Sequence, residues 1–189
     1  MSINGWDFDL VHSSIGFTVR HLVVSKVRGR FNKWTGSMRF DEEHPERSSV
    51  EIQIEAASVD TGEPQRDTHL RSPDFFDVEK FPQLTFRSTR VARKADGDFT
   101  VDGELSLHGV TRPVVLAVEY GGSLKDPWGK QRAGFTATTT VDRKDFGIRF
   151  NQVLDAGGVA LGDHVSIAID IEATRSVEAG ASQPEAASL

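Results

Sequence analysis

A chain of 189 residues, 38% hydrophobic and 26% charged, is long enough for one domain with a sizeable core, and all-β barrels of this length often stay undivided. Its formal net charge of −6 argues against a general nucleic-acid or anionic-membrane binder, because both depend on basic surface. The absence of cysteine excludes disulfides, thiolate metal sites and thiol nucleophiles, and no apolar run approaches the roughly 18 residues of a transmembrane helix.

The opening MSINGWDFDL has neither the basic nor the apolar stretch of a secretory signal, so a cytoplasmic location is expected. Trp6, Phe8 and Leu10 alternate with Asp7 and Asp9, the period-two pattern of a half-buried strand. A second strand runs from Ser14 to His21, with Ile15, Phe17, Val19 and His21 on one face and Ser14, Thr18 and Arg20 on the other. From Lys26 to Asp41 the apolar parity changes. Val27, Gly29 and Phe31 share one face, Trp34, Gly36, Met38 and Phe40 the other, which predicts a bulge or bend near Asn32–Lys33. After a loop around Pro45, Val50, Ile52, Ile54 and Ala56 resume the alternation.

Between Thr61 and Phe81 the pattern breaks. Pro64 opens a predicted short helix through Leu70, and Asp67 stands four residues before Arg71, the order that favours a helical ion pair. Ser72–Pro73 stops it and suits the cap of another brief turn. Leu84, Phe86 and Ser88 then share a strand face, and Asp96–Gly97 predicts a tight type I′ hairpin. Phe99, Val101, Leu105 and Leu107 lie opposite Thr100, Asp102, Glu104, Ser106 and His108. Val114, Leu116, Val118 and Tyr120 precede an expected turn at Gly121–Gly122. Strands carrying Phe135, Ala137, Thr139 and Val141, then Val165, Ile167, Ile169 and Ile171, complete the series. About eight strands of this kind predict a closed antiparallel barrel over residues 1–175, whose interior is filled by side chains or holds one small ligand. An open sandwich is the competing architecture. Residues 176–189, rich in Ala, Ser and Glu, are expected to form a disordered tail.

Several blocks make the reading specific. HSSIGFTVRHLVVSKVRGRF (His12–Phe31), RDTHLRSPDFFDVEKFPQLTFRST (Arg66–Thr89), GELSLHGVTRPV (Gly103–Val114) and DRKDFGI (Asp142–Ile148) together resemble the YceI-like family of lipid- or polyisoprenoid-binding proteins, in order and across almost everything from Trp6 to Ala173. The resemblance implies an extended lipocalin-like barrel with a short helical insert, an elongated cavity for an isoprenoid chain or isoprenoid quinone, and a homodimer. Many relatives carry a secretion signal, a feature this N-terminus does not show.

The chemistry-bearing residues point to binding more than to catalysis. None of the six histidines has the HExxH spacing of a zinc helix, no GxSxG elbow accompanies Ser106 and His108, and no phosphate-loop motif is present, so no metal site and no catalytic residue is assigned. Ile15, Phe17, Val19, Phe31, Phe86, Leu105, Leu107 and Phe135 are expected to point inward. His21 shares their side, and parity turns His12 away. Arg66 and His69, three apart on the predicted helix, share a face that could meet a polar head group; the competing reading is that Asp67 and Arg71 merely tie the insert together. Arg143 and Arg20 are further candidate anchors, and the plain alternative for Arg143 is an exposed pair with Asp142 or Asp145. The expected protein is thus a non-catalytic carrier needing no cofactor. An enzyme using His21 or His69 as a general base, or a stress-related interaction module, are the alternatives.

Overall fold

The computed structural model describes residues 5–22, 24–153 and 159–176. Its strands are β1 (Gly5–Phe8), β2 (Ser14–His21), β3 (Ser25–Phe31), β4 (Trp34–Arg39), β5 (Ser49–Glu55), β6 (Val59–Asp60), β7 (Gln83–Arg93), β8 (Phe99–Leu107), β9 (Val110–Lys125), β10 (Gln131–Asp142) and β11 (Leu161–Arg175), with one α-helix, α1 (Pro64–Arg71). The tail expected from residue 176 lies, from residue 177 on, outside the described residues.

These segments close into a ring of eight antiparallel staves. β11 is the key element: one edge pairs with β10, and the other pairs with β1 at Ala173–Arg175 and with β2 from Leu161 to Asp170. β1 and β2 therefore form one interrupted stave. β3 and β4 form the next, since β3 pairs with β2 and β4 with β1, and β6 and β5 continue the pattern against them. β5 passes the ladder to β7, and β8 and β9 carry it round to β10. The interruption between β3 and β4 falls at Asn32–Lys33, where the apolar parity changes. Phe31 and Trp34 flank it, and both are buried.

The ring has two distinct ends. The connections β4–β5, β7–β8 and β9–β10 lie at one, the hairpin end. The tips β2–β3 and β8–β9, the β10–β11 loop and the α1 insert lie at the other, the helix end. Ile15, Phe31, Ile54, Leu84, Leu107, Val141 and Phe146 form a buried cluster toward the helix end, against which Leu70 and Phe76 pack. Phe99, Val101, Leu116, Val118 and Ala137 form another toward the hairpin end, with Phe40, Tyr120 and Phe135 against it. Close ring contacts are made possible by missing side chains: a Cβ at Gly103 would lie 2.4 Å from the Phe86 ring, and one at Gly29 would lie 2.4 Å from Phe17.

Four local expectations are corrected. Asp96 lacks the positive φ of a type I′ turn; the β7–β8 loop is longer, with Gly97 N–H donating to Lys94 O and φ +97° at Gly97 alone. The type I′ geometry occurs at His108–Gly109, where Leu107 pairs with Val110 and both central residues have positive φ (52° and 74°). His108 consequently leaves the strand face shared with Ser106. Its ring meets Phe81 at a 59° tilt, with its Nδ1 3.2 Å from Phe146 O, while Ser106 bonds Thr111. Gly121–Gly122 is no turn but a bulge inside β9, with Gly122 opposite Gly134 and Tyr120 opposite Phe135. Finally, Asp67 and Arg71 do not pair. Asp67 accepts from Thr61 N–H and Oγ1–H, and Arg71 donates to the carbonyls of Ala57 and Val59, so both tie the helix to the chain leading into it. Long-range carbonyls and hydroxyls give each group a more enclosed partner than a neighbour on an eight-residue helix could offer.

Where β1 yields to β2, a polar clamp holds the ring shut. Arg132 of β10 donates to Asp126, Asp9 and Glu172, and Ser13 Oγ donates to Glu172 O while accepting from its N–H. Hydrogen bonds from His12 first, and from Arg132 second, hold the Asp9 carboxyl down at about 2. A carboxylate depressed on folding stabilises the native state above its unfolded pKa and loses that effect as pH falls through its folded value. The charge-dependent stability difference between the wild type and Asp9→Asn should therefore be level just above about pH 5 and fall progressively between about pH 5 and pH 1, read by denaturant unfolding across pH. A difference that stays constant down to the acid limit would show that Asp9 does not clamp the ring through its charge.

Candidate ligand-binding site

A cavity of about 520 Å³ runs through the ring, within the range of small-molecule pockets. It reaches from Arg39, Phe40, Ser48 and Ser49 at the hairpin end to His21, Arg66, His69, Phe150, Asn151 and Gln152 at the helix end. Between these rims the wall is almost wholly hydrocarbon, because every second residue of each stave must face inward and nearly all of those are apolar. Phe99, Val101, Leu105 and Leu107 of β8 line it along the whole strand, as do Val165, Ile167, Ile169 and Ile171 of β11. Eight residues of strand correspond to a rise of roughly 26 Å, shortened along the axis by the strand tilt. The space is thus elongated and open toward polar rims.

All twelve residues singled out from sequence border this cavity: Ile15, Phe17, Val19, His21, Phe31, Phe86, Leu105, Leu107, Phe135, Arg66, His69 and Arg143. Arg20 does not; it is exposed on the outer face of β2, opposite Lys26. Alternation would also have found Val50, Ile52, Val118 and Ile169. Phe75 and Phe150 belong to irregular segments and had no periodic signal, yet they shape the rim.

The helix end carries the polar groups. α1 starts where Glu63 accepts from the N–H groups of Gln65 and Arg66, with Pro64 in its first turn. Arg66 is held by Thr61, donating from Nε to Oγ1 at 2.7 Å and from Nη2 to the carbonyl at 3.0 Å. His69 Nε2 lies 2.8 Å from Asp74 Oδ2, and its ring meets Phe75 and Phe150 edge-on at 5.0 and 4.8 Å. The Ser72 cap is present, Ser72 Oγ accepting from Asp74 N–H. A guanidinium and an imidazole are therefore fixed beside the opening by partners on one side, with the cavity on the other.

Arg143 is buried rather than exposed, and its partner is neither Asp142 nor Asp145. It donates to the carbonyls of Ile148, Phe150 and Gly162 at 2.8–3.0 Å and to Asp163 Oδ1 at 3.3 Å. Asp142 instead accepts from Lys144 N–H. Burial pushes the guanidinium's pKa down, and the charges of Asp163 and Asp142 oppose that push. The residue is a strut that fixes the 148–150 segment over the cavity. Among the described residues Asp9, His12 and Glu172 place ligand atoms within 4.8 Å of one another, but Arg132 already donates to both carboxylates.

A closed antiparallel barrel around an elongated apolar space is the lipocalin-like class of small-ligand barrel. The YceI-like domain family matches residues 6–173, and this chain belongs to that family. It is 46% identical over 138 residues to a UPF0312 protein of Vibrio cholerae serotype O1, covering 73% of each chain. The crystal structure of Burkholderia cenocepacia BcnA shares the fold with a TM-score of 0.78 at 22% identity, covering 88% of this chain and 99% of that one. A polyisoprenoid-binding domain from Saccharophagus degradans, implicated in plant cell wall breakdown, has the same fold with a TM-score of 0.65 at 15% identity, covering 90% and 98%.

Replacing Arg143 by Met keeps the stem and strands three carbonyls and a carboxylate. The expected loss is about 2–4 kcal/mol of unfolding free energy, and Arg143→Lys should recover little of it because an ammonium cannot span the same fork. Chemical denaturation of the three proteins checks this; equal stability would mean that the 148–150 segment is held by other contacts.

Proposed function

We propose that this protein binds and carries a polyisoprenoid lipid or isoprenoid quinone without chemically altering it. The observation that carries the reading is the continuous hydrocarbon wall of the 520 Å³ cavity, with polar groups confined to its rims. Each methylene removed from water contributes roughly 0.8 kcal/mol, so a chain of tens of carbons is retained even after its ordering cost. Arg66 and His69 stand where a polar or anionic head would sit. The family and the isoprenoid-binding structural relative support the same class of guest. For the general-base alternative, Asp74 would orient the His69 ring but two phenylalanines enclose it, and among the described residues His21 has no side-chain hydrogen bond or ion pair to activate it. A homodimer and a cytoplasmic location are proposed with it, the first on the family resemblance, and light scattering and cell fractionation test them.

Organic extraction of the purified protein followed by mass spectrometry should yield an isoprenoid. Ala137→Phe, which places a ring inside the cavity, should weaken binding of a fluorescent isoprenoid by roughly tenfold or more while leaving the β circular-dichroism spectrum unchanged. No extracted lipid and no isoprenoid binding by the wild type would overturn the reading.

A further inference from the structure

The helix end presents an apolar crest around the cavity mouth. Val24 and Val153 are 87% and 80% exposed, and Leu22, Phe150 and Val159 also stand in solvent. They are contiguous: Leu22 N–H donates to Ala160 O, and Val153 and Val159 are bridged as a strand pair. Leu22 adopts φ 52°, a left-handed conformation that branched or bulky side chains rarely take, and this holds its side chain outward at the hairpin tip. Solvated loops do not require large apolar side chains, and five of them gathered round one opening form a patch of the kind that marks an interaction surface.

The charges beside this crest identify what it meets. Arg20 and Lys26 lie directly opposite each other on β2 and β3, a like-charged pairing that destabilises a ladder. Arg28 stands on the same outer face as Lys26, and Arg149 precedes Phe150. Among the described residues none of these four has an ion pair, whereas the nearby Lys144 and Arg143 share Asp163. Several carboxylates of the same end are engaged, Asp60 by Arg30, Asp74 by His69, Asp77 by Lys80 and Asp163 by Lys144, so within a net charge of −6 these four cations stand as a local group beside the apolar crest.

We propose that the helix end docks on the surface of an anionic lipid bilayer, with Leu22, Val24, Val153 and Val159 entering the interfacial layer and Arg20, Lys26, Arg28 and Arg149 meeting lipid phosphates. The inference rests on the isoprenoid-carrier reading, because the crest surrounds the mouth through which such a guest passes. Apolar side chains with cations beside them are the composition that interfacial binding uses. No separate donor protein is then needed to bring the opening to the lipid.

Flotation of the full chain with vesicles of phosphatidylcholine and phosphatidylglycerol, at low and high salt, tests it. The wild type should bind these vesicles, bind pure phosphatidylcholine weakly, and lose binding as salt rises. Arg20→Gln with Lys26→Gln should weaken binding roughly tenfold or more. Leu22→Asn with Val24→Ser should do the same; Asn tolerates the left-handed conformation, so the hairpin tip is kept. Leu124→Ser with Trp128→Ser, at the hairpin end, should leave it unchanged. The proposal is overturned if the wild type does not float with anionic vesicles, if both mouth variants bind like the wild type, or if the hairpin-end variant is the one that fails. Isoprenoid content measured on the same preparations separates the two readings: a protein that carries isoprenoid but ignores vesicles refutes docking alone, and one that binds vesicles but never isoprenoid refutes the carrier alone.

Discussion

Closure of the eight-stave ring depends on β11, whose outer edge must accept two different strands. Ladder pairing with β1 near Ala173 and with β2 from Leu161 to Asp170 covers the β11 edge that an open sheet would present as a template for edge-to-edge association. The gap between those two partners is where the ring could part. Arg132, Asp9, Asp126, Glu172 and Ser13 occupy that place, giving directional bonds where the ladder has none. The interruption is repeated in the neighbouring stave at Asn32–Lys33, and Asn32 is there held by Ser58 O and Asp60. Paired breaks let the wall bend without exposing unpaired backbone.

An interior of this kind leaves an energetic debt when empty. Enclosed dry space costs about 24 cal/mol per Å³ in protein cores, so 520 Å³ would cost on the order of 12 kcal/mol, comparable with the net stability of a whole domain. The open rims reduce that figure, but its size explains why such a barrel favours a guest. Glycine at 103 and 29 permits Phe86 and Phe17 to lie flat against the opposite backbone, so the aromatic rings fill part of the width without sealing the length.

Polarity divides the molecule along the same axis. At the helix end, Arg143 holds the 148–150 segment by two carbonyls and is itself tied to β11 through Gly162 O, and that segment in turn places Phe150 against His69 and Phe75. The strut, the rim and the exposed crest beyond it are successive layers of one structure, and a change in the first is transmitted to the other two. The hairpin end is narrower in chemistry: Phe40 packs edge-on against Phe99 and Phe135, and Tyr120 hydroxyl donates to Glu42.

How much of this was legible in the chain follows from the range of each interaction. Period-two alternation is enforced by the backbone itself, so the inward set from Ile15 to Phe135, the parity change at Asn32–Lys33 and the helix opened by Pro64 could be read from neighbours alone. The blocks around His12 and Arg66 marked the family. Polar partners could not be read this way: Arg143 meets a carbonyl and a carboxylate some twenty residues downstream, and Asp67 turns to Thr61 rather than to Arg71. Turn residues were ambiguous for the same reason, since Gly121–Gly122 is a bulge only because β10 pairs past it, and His108–Gly109 is a turn only because Leu107 meets Val110. The sequence by itself determined which side chains face the interior, because strand geometry is local. Tertiary structure alone decided that the interior stays open as a tunnel and that Leu22 and Val24 come to stand beside Val153 and Val159 at its mouth, because both depend on registers set between strands far apart in the chain.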